Sequence, residues 1–343
     1  MHILVFRLSA MGDVALTLPV LKGLLNTYPN TRITLVTRKV FSPFFANLER
    51  LQLFIPDFSG RHKGLFGVFK FFLDLKKTGR YDIIVDLHQV IRTELLCGCF
   101  RVTTGKQCFS IKKDRKQKKL LLKKPDEPTL MPTSERYSAV FQKAGFNFKI
   151  PTAPMFNPSD SDKTEAQNYL IKHDIENNKL IGIAPYAKHS LKMYPEDKFE
   201  ILYRMLSETD YKIIFFGGGK TEIDKLYQTA SKFDNFYVAE IGLSAQLALM
   251  QKLRVMISMD SANMHIAALS GIPVLSIWGA THPGMGFGPL YQPNENTIQI
   301  SVKELNCRPC TIYGKGTCRR GDFACMNRID PKLILNRITN FTR

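Results

Sequence analysis

Short apolar runs alternate with amphipathic stretches in the first part of the chain. The runs lie at His2 to Arg7, Ile33 to Val36 and Ile83 to Val85. Strands that are apolar throughout are typical of a parallel sheet covered on both faces. Between them, Asp13 to Leu25 and Val68 to Lys77 repeat apolar residues at helical spacing. The alternation predicts β-α-β units.

The same pattern begins again after residues 151–162, where three prolines stand among serine, aspartate and asparagine. That composition is typical of a linker. We predict an α/β protein with two Rossmann-like doubly wound domains, residues 1–155 and 156–343, facing a cleft at the carboxyl ends of their strands. The later strands are predicted at 180–184, 212–216, 254–258 and 273–277, and the later helices at 196–206, 222–231, 245–253, 263–270 and 331–341.

The length of 343 residues, 44% of them apolar, is enough for two domains with separate hydrophobic cores. No run of eighteen apolar residues occurs, and the first apolar stretch gives way to Gly12 and Asp13 too soon for a signal peptide. The seven cysteines do not suggest a secreted disulfide scaffold, and their unpaired spread fits a reducing compartment. We expect a cytoplasmic protein.

The formal net charge of +18 is concentrated in the first half of the chain. Residues 1–155 hold 26 Lys and Arg against 11 Asp and Glu, a net +15, whereas residues 156–343 hold 22 against 19, a net +3. The partner is therefore expected to be anionic: nucleic acid, a phospholipid surface or a phosphorylated substrate. The densest basic run is either a solvated loop or an anion-binding segment, and it consists of Lys112, Lys113, Arg115, Lys116, Lys118, Lys119, Lys123 and Lys124, with Asp114 among them.

The turn after the first predicted strand is the first candidate site. It holds Ser9, Gly12 and Asp13 where the strand gives way to a helix. Such a turn exposes backbone N–H groups at the carboxyl end of the strand, and a glycine lets a substrate come close. Asp13 is either the residue that caps the helix or a carboxylate that acts on a ligand.

Two later turns carry further candidates. Lys192 follows the first strand of the second half and either binds a diphosphate or is solvated. Asp260, Ser261 and Ala262 open a helix whose first N–H groups favour a phosphate. His265 lies on the same helical face as Ser261 and is either a ligand contact or a core histidine.

Glu222 stands soon after the glycines at 217–219, at the end of another predicted strand. The spacing of these glycines is not that of a dinucleotide fingerprint. Glu222 either accepts hydrogen bonds from ribose hydroxyls or is an ordinary first-turn glutamate.

Four late cysteines have the spacing C-x2-C-x7-C-x6-C. They either hold a structural zinc ion or are buried free thiols or a local redox pair, because the outer spacings are shorter than those of a zinc ribbon. The four are Cys307, Cys310, Cys318 and Cys325.

Three stretches together resemble the successive signatures of one family. They are Arg-Leu-Ser-Ala-Met-Gly-Asp-Val-Ala-Leu-Thr-Leu-Pro at 7–19, Lys-x-Tyr-Pro-Glu at 192–196, and the segment from Asp260 to Thr281. In this order they are similar to glycosyltransferase family 9, which contains the ADP-heptose:lipopolysaccharide heptosyltransferases. The resemblance spans nearly the whole chain and implies the GT-B fold.

The resemblance implies an inverting glycosyltransferase that moves a heptose from ADP-heptose to a lipopolysaccharide acceptor and requires no cofactor. Asp13 matches the proposed general base of the family, and Lys192 matches its diphosphate-binding lysine. The donor site is expected to comprise Asp260, Ser261, Ala262 and His265, with Glu222 matching the ribose-binding glutamate.

The acceptor in this family is a phosphorylated glycolipid at the inner face of the inner membrane, which agrees with the charge of the first half. The protein is accordingly expected on that membrane surface as a peripheral protein. Residues expected on the acceptor side are Ser9, Gly12, Lys112, Lys113, Arg115 and Lys116.

The chain departs from the family pattern at a few positions. Tyr194 stands where the family usually has tryptophan, and Ser261 and Asn263 replace the usual residues before the histidine. The alternative donor is therefore another nucleotide sugar, such as one carrying N-acetylglucosamine. Two other interpretations are a sugar-nucleotide sensor without turnover and a nucleic-acid-binding protein. We expect no nucleic acid, because the chain has no recognised binding motif and its aromatic residues do not interleave with the basic run.

Overall fold

The computed structural model describes residues 1–123 and 130–341. Contacts divide the chain into two units, residues 1–113 with 133–152 and residues 114–132 with 153–343. Residues 114–132 are thus grouped with the later unit, and residues 133–152 with the earlier one. The two predicted domains, residues 1–155 and 156–343, stay a prediction. Residues 114–123 and 130–132 pack against parts of the chain far along the sequence: the Lys118 ammonium lies over the rings of Phe287 and Tyr313, and the Leu130 N–H donates to the Gly284 carbonyl.

The first unit is built on a five-stranded sheet in which every described pairing is parallel. The strand order is β3-β2-β1-β4-β5, and His2 lies opposite Arg32 while Ile3 lies opposite Ile83. The strands are β1 His2–Phe6, β2 Arg32–Val36, β3 Leu51–Phe54, β4 Ile83–Asp86 and β5 Cys108–Ser110.

Helices cover both faces of this sheet. The chain moves from β1 to β3 in one direction and from β3 to β5 in the other, so right-handed crossovers put α3 and α4 on the face opposite α2. The helices of the unit are α1 Met11–Ala15, α2 Thr17–Thr27, α3 Gly64–Lys77, α4 Ile91–Thr104 and, after α5 of the other unit, α6 Thr133–Lys143.

The single helix predicted over Asp13 to Leu25 is two helices, interrupted at Leu16. Pro19 explains the break, because it has no N–H to donate to the Ala15 carbonyl and is tolerated only in the first turn of a helix. The Thr17 hydroxyl donates to the Val14 carbonyl at 2.7 Å. This break separates the short helix that carries Asp13 from the longer one.

The expectation that all cysteines are unpaired is wrong at two positions. Cys97 and Cys108 form a disulfide, with their Cα atoms 5.9 Å apart. Cys97 lies on α4, and Cys108 opens β5, the strand that follows this helix. The crossover from helix to neighbouring strand therefore brings the two thiols together.

The second unit has a six-stranded sheet with the order β11-β10-β9-β6-β7-β8, again parallel at every described pairing. The chain builds outward from β6 to β8 and then returns to place β9 on the other side of β6. Ligands bind at such a reversal point in doubly wound sheets. The strands are β6 Leu180–Ala184, β7 Lys212–Phe215, β8 Phe236–Val238, β9 Val255–Met259, β10 Val274–Trp278 and β11 Thr297–Gln299.

The predicted linker at 151–162 ends earlier than expected. Helix α7 begins at Asp160, because the Ser159 hydroxyl accepts from the Asp162 N–H while the Asp162 carboxylate accepts from the Ser159 N–H. The helices of this unit are α5 Arg115–Leu121, α7 Asp160–Lys172, α8 Glu196–Ser207, α9 Lys220–Ala230, α10 Leu243–Met250, α11 Ala262–Leu269, α12 Ala324–Asn327 and α13 Pro331–Thr339. Across residues 1–123 and 130–341, none of the helices combines the length and the apolar character needed to cross a bilayer.

Candidate functional site

Three neighbouring strand ends of the second unit meet in one polar cluster. Lys192 follows β6, Asp260 follows β9, and Thr281 follows β10, and these strands are adjacent in the sheet. The Lys192 ammonium lies 2.8 Å from Asp260 Oδ2, and the Thr281 hydroxyl donates to the same oxygen at 2.8 Å. We call these three residues the strand-end cluster.

The strand-end cluster is largely shielded from solvent. The Lys192 side chain is 15% exposed and that of Asp260 is 7% exposed. A carboxylate removed from water needs partners of this kind, since a buried charge without them is costly. An ammonium has three hydrogens, so Lys192 can donate to Asp260 and still bind a further anion.

Helix α11 begins directly beside Asp260. Its N-cap residue is Ser261, whose hydroxyl lies 3.1 Å from the Ser258 hydroxyl rather than capping the helix. Ala262 is half-buried, whereas the helix from Met264 onward is buried. The accessible first turn offers N–H groups and the positive end of the helix dipole to an anion.

His265 and Glu222 occupy different settings. His265 is buried within α11, on the same face as Ser261. Glu222 lies in the first turn of α9 and accepts from the Gly218 N–H at 2.9 Å. Tyr186 lies near Glu222, and its pKa is raised by burial and by the charges of Glu196 and Glu222. Sequence reasoning did not single out Tyr186.

Two further residues that sequence reasoning missed support the strand-end cluster. Gly314 has a φ of +79°, and a Cβ at this position would lie 2.6 Å from Lys192 Cγ. Arg308 is buried and donates to the carbonyls of Gly279, Ile300 and Thr281. Burial lowers the pKa of Arg308 to about 10. The only sequence signals were a glycine in a loop and an arginine between two cysteines.

The first unit also carries an ion pair after its first strand. Arg7 Nη2 lies 2.6 Å from Asp13 Oδ2, and Arg7 Nη1 donates to the Leu87 carbonyl at 2.5 Å. The arginine side chain is 10% exposed and that of Asp13 is 33% exposed. The N-cap position of α1 belongs to Ala10, so the interpretation of Asp13 as the cap is wrong.

His88, just after β4, completes the surroundings of Asp13. His88 Nε2 lies 3.2 Å from the Ser9 hydroxyl. Burial lowers the pKa of His88 to about 4, and the charges of Arg7 and Lys113 act in the same direction. Gly12 is buried at the start of α1. At neutral pH a neutral imidazole and a half-accessible carboxylate therefore lie in the same region.

The predicted acceptor-side residues are not all in one unit. Lys112 and Lys113 belong to the first unit, and the Lys113 ammonium donates to the Gln89 carbonyl. Arg115 and Lys116 lie on α5 in the second unit and are exposed. Lys124, from the same basic run, lies outside the described residues.

The four late cysteines lie close together. With Arg308 they line a cavity of about 420 Å³, and none of the four forms a disulfide. Burial raises the pKa of Cys325 to about 11. Among the residues described, no three or more His, Cys, Asp or Glu side chains are arranged to hold a metal ion. The choice between a structural zinc ion and free thiols at Cys307, Cys310, Cys318 and Cys325 stays a prediction.

The chain is similar in sequence to known glycosyltransferases. The model of glycosyltransferase family 9 (heptosyltransferase) matches residues 68–317. Lipopolysaccharide heptosyltransferase 3 of Escherichia coli (strain K12) is 24% identical over 280 residues, which covers 79% of this chain and 80% of that protein.

Solved structures agree with the fold. A glycosyl transferase family 9 structure from Veillonella parvula has a TM-score of 0.78 at 20% identity, covering 99% of this chain and 96% of the other. The ADP-heptose lps heptosyltransferase II of E. coli has a TM-score of 0.70 at 17% identity, covering 99% and 98%. The predicted GT-B fold class is thereby confirmed. Because the family model matches well over half of the sequence, the chain belongs to glycosyltransferase family 9 and is a glycosyltransferase.

Proposed function

We propose that the protein transfers a heptose from ADP-heptose to the core of a lipopolysaccharide acceptor, with inversion at the anomeric carbon. The observation that carries the proposal is the strand-end cluster of Lys192, Asp260 and Thr281 beside the first turn of α11. A fixed ammonium next to a helix N-terminus is suited to a diphosphate. The names of the relatives support the choice of heptose as the sugar.

The second unit is assigned the donor. Lys192 and the amides around Ser261 and Ala262 bind the diphosphate, and His265 lies on the same face of α11. Asp260 acts through Lys192, because its carboxylate is nearly inaccessible and already accepts from the lysine and from Thr281. Glu222 is assigned the ribose hydroxyls. Positive groups at the diphosphate stabilise the charge that develops on the leaving ADP.

The first unit is assigned the acceptor and the base. The oxygen of an acceptor hydroxyl forms a bond to the anomeric carbon as the bond from that carbon to the phosphate oxygen breaks. ADP leaves with the electron pair, and Asp13 takes the hydroxyl proton. Arg7 engages Oδ2 of Asp13, so the proton is assigned to Oδ1. Ser9, Gly12, Lys112 and Lys113 of the first unit are proposed to bind the anionic glycolipid. Arg115 and Lys116, on α5 of the second unit, stay predicted acceptor-side residues.

Nucleotide selectivity tests the proposed donor. ADP at about 100 times its Kd should stabilise the folded protein by roughly 2.7 kcal/mol, which raises the midpoint of thermal unfolding by several degrees. UDP and GDP should raise it by less than about 1 °C. The shifts are measured by differential scanning fluorimetry. Stabilisation by UDP and not by ADP would instead indicate a donor that carries another sugar, such as N-acetylglucosamine.

Replacing the proposed base tests the chemistry separately from binding. Asp13→Asn should lower kcat by about 10²- to 10⁴-fold, the usual contribution of a general base. The Kd for ADP should stay within about twofold of wild type, because the substitution lies in the other unit. The matched control is Glu49→Gln, an exposed carboxylate of the same unit. Wild-type turnover in Asp13→Asn would show that the base is another group.

Gly314 offers a test of how Lys192 is held. Gly314→Ala should weaken ADP binding about 5- to 10-fold, since the new methyl group displaces the Lys192 side chain. Gly321→Ala is the control, because Gly321 has a φ of +81° and its Cβ would meet no atom within 4 Å. Both variants bear the same backbone strain. Equal ADP affinities by calorimetry in the two variants would rule out the supporting role of Gly314.

The partly buried His88 predicts a dependence of stability on pH. Its folded pKa of about 4 lies below the unfolded value of about 6.5, so only the unfolded chain gains this proton between these pH values. The contribution of His88 to the free energy of unfolding is therefore fully present above about pH 6.5 and is lost as the pH drops toward 4. The thermal midpoint should fall less between pH 7.5 and 5.0 in His88→Gln than in wild type. An unchanged pH dependence in the variant would contradict the assignment.

A further inference from the structure

Helix α3 presents an apolar stripe to solvent. Phe66 is 89% exposed, Leu65 78%, Phe69 58% and Leu73 39%. These positions follow helical spacing and so share one face of the helix. A neighbouring face, formed by Val68, Phe71, Phe72 and Leu75, is buried in the core of the first unit. The helix therefore has two apolar faces, and only one of them packs into the core of the first unit.

The neighbouring helix α4 shows the same feature. It packs against α3, with Phe72 and Phe100 in edge contact at 4.8 Å between ring centres. Its outer side exposes Ile91, Leu95 and Val102, at positions that recur along one face. We call the exposed sides of α3 and α4 the outer apolar face. Contiguous exposed apolar surface on a folded protein marks an interaction site.

Basic side chains accompany the outer apolar face. Lys70, Lys76 and Lys77 lie on α3 and are exposed, as are Lys63 just before it and Arg101 on α4. The Lys76 ammonium lies over the Phe72 ring at 5.6 Å. The exposed acidic residue of α4 is Glu94. Asp74 of α3 is paired with Arg61 and lies 3.9 Å from the Lys77 ammonium. The surface thus combines apolar rings with a surplus of positive charge.

The start of α3 is firmly fixed to the unit. His62 accepts from the Asp57 N–H at 2.9 Å through Nδ1, and its Nε2 lies 3.0 Å from the Asp74 carboxylate. Arg61 binds the same carboxylate through two contacts of 2.5 and 2.8 Å. A Cβ at Gly67 would lie 2.3 Å from the His62 carbonyl carbon, so this residue lets the loop pass close to the helix. The apolar stripe is therefore displayed on a rigid support.

We propose that the outer apolar face docks the protein on an anionic lipid bilayer, with α3 lying in the plane of the interface. A helix with large apolar residues and lysines on one side binds this way, since the rings enter the acyl boundary while the lysines stay at the anionic headgroups. A second copy of the chain fits less well, because two such faces would bring like charges together. The inference deepens the proposed function, since a glycolipid acceptor lies in a bilayer, but it is argued from α3 and α4 alone.

Vesicle sedimentation tests the proposal. The full chain should bind vesicles of equal parts phosphatidylglycerol and phosphatidylcholine, and the binding should weaken in high salt and on phosphatidylcholine alone. Phe66→Ser/Phe69→Ser should lower the partition coefficient at least 10-fold, because the variant loses both large apolar rings that would enter the acyl boundary. The control Ile171→Ser/Ile201→Ser removes exposed apolar residues of the other unit and should stay within twofold of wild type.

Circular dichroism melts establish that both double variants fold, which is expected because all four side chains are exposed. Wild-type vesicle binding in Phe66→Ser/Phe69→Ser would overturn the proposal, as would the absence of binding by the wild-type chain. A dimer in sedimentation velocity that this variant abolishes, without vesicle binding, would assign the face to a second copy. Transfer of the sugar to a water-soluble acceptor fragment is measured in parallel. If the wild-type chain binds vesicles but shows no transfer, the proposed function alone is contradicted.

Discussion

One buried ion pair, Lys192 with Asp260, fixes the carboxyl ends of two adjacent strands of the second unit, and the Thr281 hydroxyl ties in the third. Taking both charges out of water is costly, and replacing such a pair by apolar groups is often no less stable. The role of the Lys192–Asp260 pair is therefore to position the ammonium rather than to stabilise the fold. The surrounding residues serve that placement, since Gly314 leaves room for the lysine stem and Arg308 holds the chain that carries Thr281.

Both units use the same local device with different accessibility. In each, a cation and an aspartate pair beyond a strand end, but Asp13 is 33% exposed whereas Asp260 is only 7% exposed. An accessible carboxylate can receive a proton from a substrate hydroxyl, and a shielded one acts through the lysine that it holds. The difference in exposure is what supports different roles for two aspartates that look alike in the sequence. The low pKa of His88 leaves Asp13 without a second cation from that ring at neutral pH.

Much of the fold could be predicted from local patterns, because a fully buried strand of four or five residues consists of apolar residues whichever strands pair with it. The strand at Leu180–Ala184 was predicted with its observed ends. Three-residue strands such as Cys108–Ser110 are too short to show a period, and the break between α1 and α2 depends on a single proline.

Asp13, Lys192 and Asp260 stand in recognisable motifs. Thr281 ends the third of these motifs, but the sequence assigned it no role of its own. Gly314 and Arg308 stand outside the motifs, and their roles arise from contacts with residues distant in the chain. The position of residues 114–123 likewise depends on rings far along the sequence.

The central claim is that the second unit binds the diphosphate of a nucleotide sugar through the strand-end cluster and the first turn of α11. Hydrogen exchange measured with and without ADP tests it most directly, because it reports on each backbone segment. The account predicts slower exchange at residues 189–193 and 260–264 when ADP is bound. Unchanged exchange in both segments, with protection confined to the first unit or to the cavity lined by the late cysteines, would contradict it.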